Sequence, residues 1–190
     1  MGPFRQGRRK LAGCAVVLAL VAACSGPARG AGRSPAPASP TVEPSTAPGE
    51  RCDDGALALE VVGPVGGGAG HSTLALELVN RSRERCWLEG VPAVRLLTGQ
   101  GQAIAATAVT DPSVPPSQVV LPPGAGAVFL VTVEIRPSAR QPSCPEAASA
   151  QVTAPGGGAS LSAGQMRLTV CGSEFEVSAL EPSGALKHGG

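Results

Sequence analysis

"LALEVVGPVGGGAGHSTLALELVN", residues 57–80, decides the fold. In Leu57-Ala58-Leu59-Glu60-Val61, and again in Leu74-Ala75-Leu76-Glu77-Leu78, large apolar residues alternate with small or charged ones. A period of two places Leu57, Leu59 and Val61 on one side of an extended chain, with Ala58 and Glu60 on the other, and that is the pattern of a half-buried strand. The intervening Gly63-Pro64-Val65-Gly66-Gly67-Gly68-Ala69-Gly70-His71 is made of turn formers and reads as a hairpin loop. A lone hairpin is not stable in water, so the rest of the chain must supply further strands.

It does so. "AVRLL" at 93–97, "AIAATAV" at 103–109 and "SQVVL" at 117–121 are candidate strands, separated by "TGQG" and by Pro112, Pro115 and Pro116. The longest run, "GAVFLVTVEI", puts Phe129, Val131, Val133 and Ile135 on one face. "SAQVTA", "QMRLTV" and "EFEVSAL" complete a set of about eight, and no segment carries a helical stripe of any length. Many short strands with Gly and Pro between them predict an all-β sandwich of about seven to eight strands, with a barrel as the alternative. The composition agrees. In 190 residues there are 26 Gly and 19 Pro but three Phe, one Trp and no Tyr, so the core must be aliphatic. Trp87 reads as a packing element at the core or its rim, the sharper alternative being a platform on which a ligand stacks.

Six cysteines are present. Cys14 lies in an N-terminal apolar run and Cys24 at its end, which leaves Cys52, Cys86, Cys144 and Cys171, an even number. Cys52 precedes the first strand of the hairpin and Cys86 follows the second, so both fall at its open end. That geometry selects Cys52–Cys86, and the same logic selects Cys144–Cys171. Closing such loops stabilises a small domain by roughly 3–4 kcal/mol each. Zinc is the alternative use of four cysteines, but no C-x-x-C spacing occurs.

The N-terminus has three parts: a basic stretch "MGPFRQGRRK", an apolar run from Leu11 to Ala23, and Cys24. This is the layout of a secretory signal peptide, and the run is too short for a stable membrane span. Val21-Ala22-Ala23-Cys24 resembles the bacterial lipobox, in which an aliphatic and two small residues precede a cysteine that is diacylated before cleavage on its N-terminal side. Leu11-Ala12-Gly13-Cys14 matches the same letters, but no apolar segment lies before it. Cys24 is therefore the expected lipidation site and the first residue of the mature chain. Two acyl chains are about what stable anchoring requires. Arg8-Arg9 leaves the export route open between general secretion and the twin-arginine pathway.

Residues 25–50, "SGPARGAGRSPAPASPTVEPSTAPGE", hold no large apolar residue except Val42 and cannot build a core. The expected organisation is thus a lipoprotein signal peptide at 1–23, a lipidated Cys24 with a Pro/Ala/Ser-rich tether over 24–51, a β-sandwich over 52–182 and a flexible tail at 183–190. The formal charge is +1 overall, and the four basic residues of the leading stretch account for more than that excess, so a nucleic-acid partner is not expected.

"GAGH" at 68–71, "LELVNRS" and "CWLEGVPAVRLLTGQGQAI" resemble an actinobacterial family of secreted and lipoprotein domains of unknown function, whose pattern runs G-A-x-G-H, N-x-S, C-x-L-x-G-x-P-x-V. Cys86, Leu88, Gly90, Pro92 and Val94 fall in register with it, and "LPPGAGAVFLVTV" resembles the family's later P-G-x-x-A strand. The resemblance covers roughly Cys52 to Pro182. It implies an extracytoplasmic immunoglobulin-like sandwich, often behind a lipoprotein signal, and no established activity. Around the second strand and near Gly90, where the family commonly carries aromatics, this chain has Leu or Val.

A search for chemistry returns little. The chain has two histidines, His71 and His188, and no G-x-S-x-G elbow. A hydrolytic triad would have to join His71 to Asp53, Asp54 or Asp111. Glu174 and Glu176 flank Phe175 and read as solvated charges. The glycine-rich loop is not followed by Gly-Lys-Ser/Thr and so is no phosphate cradle. His71 alone is a poor metal site. "RSRER" at 81–85 reads as a solvated basic turn, the alternative being contact with anionic wall polymers or lipid head groups. The expectation is a lipid-anchored, non-catalytic binding or structural module on the outer face of the cytoplasmic membrane, with no catalytic residue, cofactor or metal. Its partner classes are the membrane itself, an envelope protein or a cell-wall polymer. The competing readings are a metal-handling or hydrolytic protein that uses His71, and an accessory subunit of an envelope complex.

Overall fold

The computed structural model describes residues 49–139 and 141–185, which belong to the compact unit Pro44–Gly190. The expectations for the apolar run, Cys24, the tether up to residue 48 and His188 lie outside those residues. The end of the expected tether, Glu50–Arg51, is already strand, paired with Cys86 and Trp87 by backbone hydrogen bonding. Two-residue β1 (Glu50–Arg51) is followed by a single 3-10 turn (Asp54–Ala56), β2 (Leu57–Gly68), β3 (His71–Asn80), β4 (Cys86–Glu89), β5 (Ala93–Leu97) and β6 (Thr107–Thr110). Then come β7 (Gln118–Leu121), β8 (Gly126–Glu134), β9 (Glu146–Thr153), β10 (Leu161–Thr169), β11 (Cys171–Val177) and two-residue β12 (Glu181–Pro182). Among the described residues no helix is long and apolar enough to cross a membrane.

The large sheet runs β2-β3-β8-β11-β6, with β12 also paired to β8. Two smaller sheets, β10-β9-β5 and β1-β4-β7, complete the sandwich. Leu74, Leu76 and Leu78 of β3 and Phe129, Val131 and Val133 of β8 are buried, and they meet Ala150 and Val152 of β9 and Met166 and Leu168 of β10 in one apolar cluster. The all-β sandwich predicted from the period-two runs is therefore what forms. Its edge strands β2 and β10 lie side by side without pairing to each other, so the structure is open and not a closed barrel. Disulfides join Cys52 to Cys86 and Cys144 to Cys171, the pairing that hairpin geometry selects. Each ties the entry of one hairpin strand to the exit of the next, β2–β3 in the first case and β9–β10 in the second.

Several elements differ from expectation. The glycine-rich stretch 63–68 is strand, not loop: β2 continues to Gly68, opposite His71, and the turn is only Ala69-Gly70. Both of those residues have positive φ, 50° and 101°, as a type I′ hairpin turn requires. Backbone pairing to β3 carries the strand on where side chains cannot, at the cost of two bulges, between Val61 and Gly63 and between Pro64 and Gly66. Pro64 is tolerated because β2 pairs on one side only. The strand expected over 103–109 is short, four residues from Thr107, since Ala103 makes only an isolated bridge to Leu97. β11 stops at Val177 because Ser178 turns its hydroxyl onto the chain, accepting from Leu130 N at 2.9 Å and donating to Ala179 O at 3.0 Å. Three short strands outside the expected set, β1, β4 and β12, bring the count to twelve among the described residues.

Candidate functional site

The residues singled out in the sequence are mostly used by the fold. Asn80 is fully buried at the end of β3: its Nδ2 donates to Leu121 O at 2.9 Å and Glu84 O at 2.7 Å, and its Oδ1 accepts from Ser82 N at 2.9 Å and Ser82 Oγ at 2.7 Å. One amide thus shapes the whole 81–85 turn. Leu88 is buried in the core, and Gly90, at φ 120°, brings its Cα against Pro155 where a Cβ would come within 3.2 Å of the proline ring. Gly90 O also accepts from Leu180 N at 3.1 Å. The C-x-L-x-G-x-P run is a packing device.

Trp87 is half-buried and is not a free platform. The guanidinium of Arg51 lies 4.2 Å over its ring centroid, and Arg51 Nη1 donates to Pro155 O at 3.3 Å. Such stacking contributes about 0.5–1 kcal/mol at an exposed site. Asp53 Oδ1 caps the 3-10 turn by accepting from Gly55 N at 2.8 Å, and Asp54 accepts from Ala159 N. Asp111 Oδ1 accepts from Ser113 N at 2.8 Å. Hydrogen bonds from the Ser113 side chain and backbone hold the Asp111 carboxyl below its ordinary value.

His71 is exposed at the first position of β3, opposite Glu134 of β8. Asp53 and Asp54 lie at the other end of that ten-residue strand, where Arg81 N bonds Ala56 O. At about 3.3 Å per residue the separation is roughly 30 Å, so the structure does not bring His71 to either aspartate. Among the described residues no group of three or more His, Cys, Asp or Glu is placed to hold a metal ion. Glu174 and Glu176 are exposed on either side of buried Phe175, as their spacing predicts.

The 81–85 turn does not present a basic face. Arg81 pairs with Glu60. A crevice of about 660 Å³ beside it is lined by Arg51, Arg83 and Arg85 but equally by Glu50, Asp53 and Glu84, and the charges cancel.

A second groove, also about 660 Å³, was not foreseen. It opens along the seam where the edge strand of the large sheet, β2, meets the edge strand β10 of a smaller one. Its floor is core: Leu74, Met166 and Leu168 are 5 %, 4 % and 3 % exposed. Its lips are Val61–Pro64 on one side and Gly164–Arg167 on the other. Three irregularities hold it open. β2 has its two bulges there, and β10 breaks register between Gly164 and Leu168, with Gln165 at φ 62°. Bulges re-aim side chains and recur beside binding sites, and a non-glycine residue with positive φ carries strain that the surroundings must offset. A Cβ at Gly63 or Gly164 would meet nothing within 4 Å, so these glycines leave space that side chains would fill. Val62 on the lip and Val65 just beyond are 52 % and 45 % exposed, two of the four large apolar side chains left in water among the described residues. The only signal for this site in the sequence is the paired occurrence of glycine in two strands, which is not visible until the strands are aligned in space.

Residues 52–181 match the model of the family described as "Domain of unknown function (DUF4232)". No curated protein matches the chain, and no solved structure does.

Proposed function

The chain belongs to the DUF4232 family of domains of unknown function, and from that premise we propose that it is a lipid-anchored, extracytoplasmic binding module without catalytic activity of its own. The observation that carries this reading is the order of segments at the N-terminus. A basic head, the apolar run Leu11–Ala23, the lipobox-like Val21-Ala22-Ala23-Cys24 and a Pro/Ala/Ser-rich stretch precede the sandwich directly. Diacylation of Cys24 places the protein on the outer face of the cytoplasmic membrane, and the tether lifts the sandwich toward the envelope of an actinobacterial cell, where an envelope protein or a wall polymer is its partner. Two disulfides are in keeping with an oxidising compartment. The open groove between β2 and β10, with core side chains for its floor, supports a binding role over a purely structural one.

Metabolic labelling with a clickable fatty acid tests the anchor. The wild-type chain takes up label and fractionates with membranes, and Cys24→Ala loses both properties. A wild-type chain without label, or label that persists after Cys24→Ala, refutes the reading.

A further inference from the structure

We propose that the groove between β2 and β10 takes an apolar chain ending in a single negative charge, an amphiphilic carboxylate or its chemical equivalent. The inference rests on the reading of the protein as a binding module, though not on the anchor at Cys24.

An occupant can be chosen from what lines the groove. Val61, Leu74, Met166 and Leu168 supply an apolar bed. Burying an apolar chain against such a surface is favourable at about 25 cal/mol per Å². Polar lining is neutral at Ser72, Thr73 and Gln165, and Arg167 is the one charged residue bordering the groove. Its side chain is 88 % exposed, and its ion pair with Glu146, itself half-exposed, is long at 3.6 Å. A guanidinium so placed can turn to an incoming anion, because an exposed pair of that length is worth little to the resting protein. No carboxylate lines the groove to receive a cation, and Glu146, outside it, is the acid that an incoming anion would displace from Arg167.

Strand addition is the other use an exposed edge invites, and the geometry disfavours it. An added strand needs a regular row of free N–H and C=O groups. Along the groove β2 is interrupted by two bulges and by Pro64, which has no N–H, and β10 is interrupted between Gly164 and Leu168. Such breaks are how sheet edges avoid pairing with other chains. What the breaks leave is width, and a Cβ at Gly63 or Gly164, both lining the groove, would meet only open space. A flexible apolar chain enters such a slot, and its charged end stays at the mouth beside Arg167.

The test is photo-crosslinking of the full chain in membranes with a diazirine-bearing palmitate analogue and with the matching neutral alcohol, adducts being mapped by peptide mass spectrometry. The carboxylate is expected to label Val61–Pro64 and Gly164–Leu168, and to do so about fivefold more than the alcohol, the size of a well-made exposed ion pair. Arg167→Gln removes that preference, while Arg95→Gln on β5 does not. Gly164→Leu, at a position whose backbone accepts a side chain and whose Cβ faces open space, lowers labelling by both probes. Scattered adducts, equal labelling by acid and alcohol in the wild type, or labelling unchanged by Gly164→Leu would each overturn the proposal. Because adducts are read at the two lips, the result does not depend on whether Cys24 carries lipid.

Discussion

Asn80 shows what a single residue does here. It is the first residue of the Asn80-Arg81-Ser82 stretch, and its role is structural: a buried amide whose donors and acceptor satisfy three separate backbone positions and one hydroxyl. Leaving buried groups unsatisfied costs about 1–3 kcal/mol each, so Asn80→Ala is expected to destabilise the domain by about 3 kcal/mol, read as a lower urea midpoint at unchanged slope. Asp111 offers a second residue-scale test. Its carboxyl is held below the ordinary value by Ser113, so its contribution to stability is present above the unfolded-state pKa and is lost as pH falls through the lowered, folded-state value. Ser113→Ala is expected to move the Asp111 carboxyl upward, and carbon-detected NMR titration of that carboxyl checks it.

At the scale of elements, the period-two runs were sufficient to place β2, β3, β8, β9, β10 and β11, because alternation and burial coincide in a half-buried strand. Cys52 and Cys86 were legible for the same reason: once Leu57–Val61 and Leu74–Leu78 are a hairpin, their flanking cysteines are neighbours. The glycine stretch 63–68 was not legible, since its pairing comes from backbone hydrogen bonds that leave no mark in side-chain chemistry. Its turn makes an unusual choice. Ala69 occupies a position with φ 50° where Asn or Gly is favoured. Ala69→Asn is therefore expected to raise stability by about 1 kcal/mol, whereas Gly70→Ala, at φ 101° and with Arg136 in the way, lowers it by about 2 kcal/mol. Thermal unfolding resolves both, as each kcal/mol moves the midpoint by several degrees.

Across the whole molecule, the β-class, the disulfides and membership in a family of domains of unknown function are legible in one chain, and the groove is not. The groove is lined by residues of β2 and β10 about a hundred positions apart, among them Gly63 and Gly164, which have no side chain to announce it. His71, Trp87 and the arginine turn drew attention because their chemistry is conspicuous. The fold leaves His71 roughly a strand's length from Asp53 and Asp54, covers a face of Trp87 with Arg51, and surrounds the arginine turn with carboxylates. What remains is a stapled sandwich with an open apolar seam, on a chain whose N-terminal segments read as an address and a tether. Intact mass spectrometry of the protein extracted from membranes of an actinobacterial host, before and after reduction, tests that account most directly. The account predicts the mass of the chain from Cys24 plus a diacylglyceryl group, rising by four hydrogens when the Cys52–Cys86 and Cys144–Cys171 bonds are reduced. An unlipidated chain, or a mass that reduction leaves unchanged, would contradict it.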